Sequence, residues 1–156
     1  MEQFVQDNFT LLIVLSIVTT LITAFILIVA SILYRTINGK NYPVIPEQDI
    51  TFTERWVSGA SQKNVLTKLG GASNCLSVTV SRNALVIRPM FPFNLMFFPE
   101  VYDLEHVVAR SEISRIEPIA TSDLGSVLVE FESDGQKKTI ELTFRRRDEF
   151  LRAVNI

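Results

Sequence analysis

The sequence has 156 residues, of which 47% are apolar, and a formal net charge of −2. Residues 50–156 hold 13 basic and 13 acidic side chains, which leaves no positive excess to release counterions from a nucleic acid. Their content of Val, Ile, Leu and Phe excludes a disordered chain, and the single cysteine, Cys75, excludes an intrachain disulfide scaffold.

Asn8 to Tyr34 is a run of 27 residues with no charge, proline or glycine. As a helix it spans about 40 Å, enough to cross a hydrocarbon core of about 30 Å. A helix also satisfies every backbone polar group inside lipid. A cleaved signal peptide does not fit. The first eight residues carry Glu2 and Asp7 but no Lys or Arg, and Ile32-Leu33-Tyr34 offers no small-residue cleavage site. A soluble core helix would not be apolar on every side for this length. Residues 9–34 are therefore expected to be a transmembrane helix.

Arg35 and Lys40 follow the run, and no basic residue precedes it. The positive-inside rule predicts a short extracytoplasmic N-terminus, residues 1–8, and a cytoplasmic C-terminal domain at the inner (cell) membrane. Ser16, Thr20 and Ala24 are spaced four apart. Such a small-residue row lets helices approach closely, as in a homo-oligomer or a larger membrane complex, but rows like it also arise by chance in Ser/Thr-containing helices.

Residues 35–49 contain Asn38-Gly39, Pro43 and Pro46 and are expected to form a short linker. From residue 50 to 156 the period becomes that of strands. The first strand is expected at Trp56–Gly59. Cys75–Ser81 alternates Leu76, Val78 and Val80 against Ser77, Thr79 and Ser81. Ala84–Met90 follows, with Leu85 and Ile87 inward. Leu104–Ala109 is a β-rich run, and Ile113, Ile116 and Ile119 mark a less regular apolar segment. Val127–Glu132 and Lys138–Phe144 alternate on either side of Asp134-Gly135, a strong hairpin turn. Phe150, Leu151 and Val154 have helical spacing, and Asp148 and Glu149 suit the first turn of that helix.

The pattern predicts a mainly β, α+β domain of six or seven antiparallel strands, a barrel or sandwich, capped by a C-terminal helix. In this order of elements it resembles the pleckstrin-homology-like superfold and its GRAM branch. Trp56 stands at the first strand, Leu76–Val80 and Leu85–Pro89 resemble the second and third, Ile113–Ile116 resembles the segment that closes the barrel, and Phe150–Val154 resembles the capping helix. The chain is also similar to small bacterial single-pass membrane proteins that carry such a domain, mostly of unassigned activity. The resemblance implies a non-catalytic module that binds lipid headgroups or protein partners.

Little in the sequence suggests catalysis. His106 is the lone histidine, and one histidine with one cysteine cannot supply a zinc site, so neither metal nor cofactor is expected. On a strand, Glu105 and His106 face opposite ways while Asp103 and Glu105 share a face. Gly70-Gly71 lacks the Gly-Lys-Ser/Thr ending of a phosphate-binding loop and reads as a turn.

Two features remain. Met90 to Pro99 gathers Met90, Phe91, Phe93, Leu95, Met96, Phe97 and Phe98, with Pro89, Pro92 and Pro99 holding it out of regular structure. An apolar loop needs cover, which can be the membrane interface, a partner protein or the domain's own core. The second is Arg145, Arg146 and Arg147 with Arg152 at a strand-to-helix junction. These can contact anionic headgroups, or form a solvated face paired with Asp148 and Glu149.

Overall fold

A computed structural model describes residues 8–38, 45, 47–63, 67, 71–95, 101–119, 125–133 and 135–155, and its chain divides into two compact units, Met1–Asn41 and Tyr42–Ile156. In the first, α1 (Phe9–Ile37) is a 29-residue helix, about 43 Å long. Its mean hydropathy reaches 2.9, so it is long and apolar enough to span a membrane. It runs three residues past the predicted end. Asn38 stops it, donating to the Tyr34 carbonyl from both its backbone and its side-chain amide, at 3.0 and 2.7 Å. Hydroxyls along the helix bond back one turn: Thr19 to Leu15 O, Thr20 to Ser16 O and Thr23 to Thr19 O, at 2.8–2.9 Å. In the Ser16–Thr20–Ala24 row the Thr20 proton is therefore already used within the helix.

The second unit is built from β1 (Ile50–Ser61), β2 (Ala72–Ser81), β3 (Ala84–Pro89), β4 (His106–Ala109), β5 (Ile113–Pro118), β6 (Ser126–Ser133), β7 (Gln136–Thr143) and α2 (Arg147–Val154). The strands form one antiparallel sheet in the order β4-β3-β2-β1-β7-β6-β5. The α+β, mainly β class is as expected. The sheet does not close, which corrects the expectation of a barrel or sandwich. The Ile113–Ile116 segment, expected to close it, instead forms an edge strand, paired among the described residues only with β6. A one-turn 3-10 helix, Arg110–Glu112, intervenes and carries the chain away from β4 before β5 begins. Arg110 anchors that step: its backbone N–H donates to Asn83 O and its guanidinium to Ser81 O and Ala153 O.

The first strand is also longer than predicted, twelve residues rather than four. Its first part pairs with β2, and Ser58–Ser61 pair with β7. It serves both neighbours because it is bulged: the β1–β2 register shifts on either side of Val57, and Trp56 takes a positive φ of 64°. An extra residue in one strand bends it and increases its twist. Period-2 alternation fails across such a bulge, so the sequence pattern shows only part of this strand.

The inner face carries the core. Val57, Leu76, Val78, Val80, Leu85, Ile87, Val127, Val129, Phe131, Ile140 and Leu142 are fully buried. Burying each such side chain stabilises the fold by about 1.5–3 kcal/mol. α2 contributes Phe150 and Ala153. Phe150 stacks on Phe144 at 4.2 Å and meets Phe52 edge-on at 5.8 Å. A two-residue turn through Gly135 (φ 69°) joins β6 to β7, with Ser133 paired to Gln136. Asp134 lies outside the described residues.

Candidate docking surface

The bulge decides where Trp56 goes. With φ at 64°, the indole leaves the alternation of β1 and is 53% exposed. It stands between two concavities and lines both. On one side is an open groove of about 760 Å³ whose walls include Gly125, Phe144, Arg145, Arg147 and Arg152. On the other is a cleft of about 470 Å³ lined by Arg55, Ser77, Arg88, Met90 and Phe91. The two features singled out in the sequence thus flank one tryptophan, the arginines on one side and the start of the Phe/Met loop on the other.

The four arginines are not equivalent. Arg146 is tied into the fold. Its guanidinium donates to Thr53 O and to Glu149 Oε2 at 3.1 Å, lies 3.7 Å from Glu54 Oε2 and covers the Phe52 ring at 5.1 Å. Arg147 pairs with Asp148 at 3.2 Å, and Arg152 donates to the Asp148 carbonyl at 3.3 Å. Among the described residues the Arg145 side chain has no partner. Arg145, Arg147 and Arg152 all stand at the groove wall.

The junction is held by Glu54, a buried carboxylate on β1. It accepts the backbone N–H of Arg145 at 2.8 Å and of Arg146 at 3.1 Å. No side chain at the start of α2 caps it, so Glu54 satisfies donors left open just ahead of the helix. Charge-assisted bonds of this kind also offset the cost of burying the carboxylate.

In the Phe/Met loop, Phe91 is 72% exposed and Phe93 39% exposed, while Met90 is half-buried. Met96, Phe97, Phe98 and the side chain of Leu95 lie outside the described residues. The turn that leads into β4 is fastened through His106. β4 begins at His106, so the strand alternation does not extend back to Asp103 and Glu105 as the sequence suggested. Asp103 sits in a turn with φ 50°, and its carbonyl lies 2.8 Å from His106 Nε2, which therefore carries the proton. Lys138 binds the Asp103 carboxylate at 3.1 Å, and the His106 ring meets Phe131 edge-on at 5.0 Å. This cluster ties the β3–β4 connection to β7.

Cys75 is buried on β2, and burial pushes its thiol above the ordinary range. Among the described residues no group of three or more His, Cys, Asp or Glu is placed to hold a metal.

Sequence reasoning missed Trp56, Arg55, Arg88 and Glu54. Arg55 and Arg88 come together only through sheet register, Arg55 opposite Ser77 and Ser77 opposite Arg88. Nothing local marks Trp56 as exposed, since a tryptophan in a strand ordinarily reads as core. No family model matches the chain, and no curated protein or solved structure matches it either.

Proposed function

We propose that this is a non-catalytic, single-pass membrane protein whose C-terminal domain docks on the cytoplasmic leaflet of the membrane that anchors it. α1 would supply the anchor, with the N-terminus outside because Arg35 and Lys40 follow it. The run of seven antiparallel strands followed by the terminal helix α2 supports reading the domain as PH/GRAM-like, with its sheet left open.

The observation that carries the proposal is the exposed Trp56 between two concavities edged with arginine and with Phe91. Tryptophan favours the headgroup level of a bilayer, where one part of the ring is apolar and another wet. Phe91 adds apolar area, and each arginine near an anionic leaflet contributes about 1 kcal/mol. The tether keeps the domain at high effective concentration near that surface, so weak contacts suffice.

Trp56 is the only tryptophan, so its fluorescence reports this face alone. The test reconstitutes the full chain in nanodiscs of phosphatidylcholine, with or without phosphatidylglycerol, and with brominated acyl chains as quencher. Docking predicts blue-shifted emission and bromine quenching in the anionic discs, both reduced by Phe91→Ser. Water-exposed, unquenched emission in every disc would overturn the proposal.

A further inference from the structure

Across the outer face of the sheet, Arg55 on β1, Ser77 on β2 and Arg88 on β3 stand opposite one another in register. Neighbouring strands lie about 4.8 Å apart, so the two arginines are rooted roughly 10 Å apart with the serine between them. Ser77 is 6% exposed and lines the cleft, and no hydrogen bond joins its hydroxyl to another described residue. Further along β2, Thr79 accepts from Thr53, and Ser81 both donates to and accepts from the Ala84 backbone. Neither Arg55 nor Arg88 has an ion-pair or hydrogen-bond partner among the described residues, and none of the described residues lining the cleft is acidic. Trp56 and Phe91 wall it.

A hydroxyl between two guanidinium groups, in a cleft with no acidic residue in its described lining, is suited to an anion. Each guanidinium presents a planar fork of donors matched to phosphate oxygens, and the hydroxyl adds a donor for a third. Two positive charges also match the charge of a phosphomonoester, about −1.5 to −2 at neutral pH, better than the single charge of a phosphodiester. We propose that Arg55, Ser77 and Arg88 form a binding subsite for a phosphomonoester group, carried by a lipid headgroup or by a free phosphate compound. The proposal rests on the reading of the Trp56 face as a docking surface and names what that face selects.

The experiment follows Trp56 emission of the full chain in phosphatidylcholine nanodiscs during titration with inorganic phosphate, against chloride at matched ionic strength. A second arm uses discs containing phosphatidic acid, whose headgroup is a phosphomonoester, or phosphatidylglycerol, whose headgroup is a diester. The subsite predicts a saturable response to phosphate that chloride does not give. Arg55→Gln and Arg88→Gln should each weaken it about tenfold, and Ser77→Ala should weaken it less. Arg115→Gln, on edge strand β5 and paired with Glu117, should leave it unchanged. A preference for phosphatidic acid over phosphatidylglycerol assigns the group to a lipid, and a phosphate response without that preference assigns it to a free phosphate compound. A response equal in chloride, or indifferent to both Arg55→Gln and Arg88→Gln while their thermal unfolding matches the parent, would overturn the subsite. Bromine quenching of Trp56 that persists in that case would show that docking stands without it.

Discussion

The Glu54 carboxylate on β1 receives the backbone N–H groups of Arg145 and Arg146, residues more than ninety positions away in the chain. One buried acidic group thereby fixes where the last strand ends and α2 begins. Glu54→Ala would orphan both amides, and an unsatisfied buried donor costs about 1–3 kcal/mol. Loss of about 2 kcal/mol or more in denaturant unfolding is expected, with Glu54→Gln losing less because it keeps one acceptor oxygen. Equal stability of Glu54→Ala and the parent would refute the role given to the carboxylate.

Phe150 holds α2 on the sheet through its contacts with Phe144 and Phe52. An eight-residue helix does not persist in water alone, so this anchor carries much of its stability. Phe150→Ala should cost about 3–5 kcal/mol. Calorimetry of the full chain in nanodiscs would measure it, and a change below about 1 kcal/mol would show that α2 is held by something else.

Two glycines separate backbone strain from collision. Gly125 and Gly135 both have positive φ, 75° and 69°. At Gly125 a Cβ would stand 2.6 Å from the Phe144 carbonyl oxygen, whereas at Gly135 nothing lies within 4 Å. Alanine at either site pays for the left-handed conformation, about 1–2 kcal/mol. Gly125→Ala should lose clearly more, since Phe144 must shift and its N–H bonds the Gly125 carbonyl at 3.3 Å. Equal losses at the two sites would contradict the collision.

Glu130 on β6 is held below the usual carboxylate range, first by its hydrogen bond to Lys137 on β7. A depressed folded-state value favours folding at pH above the ordinary carboxylate value of about 4.3. That contribution is lost as pH falls through the folded value. Carbon-detected NMR titration of the Glu130 carboxyl should show a low midpoint that rises toward normal in Lys137→Gln. A midpoint unmoved by the substitution would assign the shift to another cause.

Much of this fold is legible in the sequence, and the reasons are local. Val127, Val129 and Phe131 alternate without interruption, and Asp134-Gly135 supplies turn chemistry at the right spacing. The hairpin β6–β7 therefore follows from neighbouring residues. α2 is equally plain from Phe150, Leu151 and Val154. The first strand is not, because a bulge at Trp56 breaks the alternation through which strands are recognised. The edge position of β5 follows a turn at Arg110, which bonds Ala153 across 43 residues and leaves no local signal. The candidate site is legible only in its charged and apolar ends, Arg145–Arg147 and Phe91. Its centre is assembled by register between three strands, and no single segment records that Arg55, Ser77 and Arg88 share a row.

The division of labour along β1 has a kinetic side. Within the halves β2–β3–β4 and β5–β6–β7, every pairing joins strands consecutive in sequence, as does the pairing of β1 with β2. Among the strand pairings of the described residues, only the short ladder of Ser58–Ser61 with Ile140–Thr143 joins the first half to the last, across a separation of 79 residues between Gln62 and Glu141. Loop entropy must be spent before such a contact is rewarded. The two halves are thus free to organise as local meanders, and the meeting of β1 with β7 becomes the slow, committing event, which also completes the groove beside Trp56.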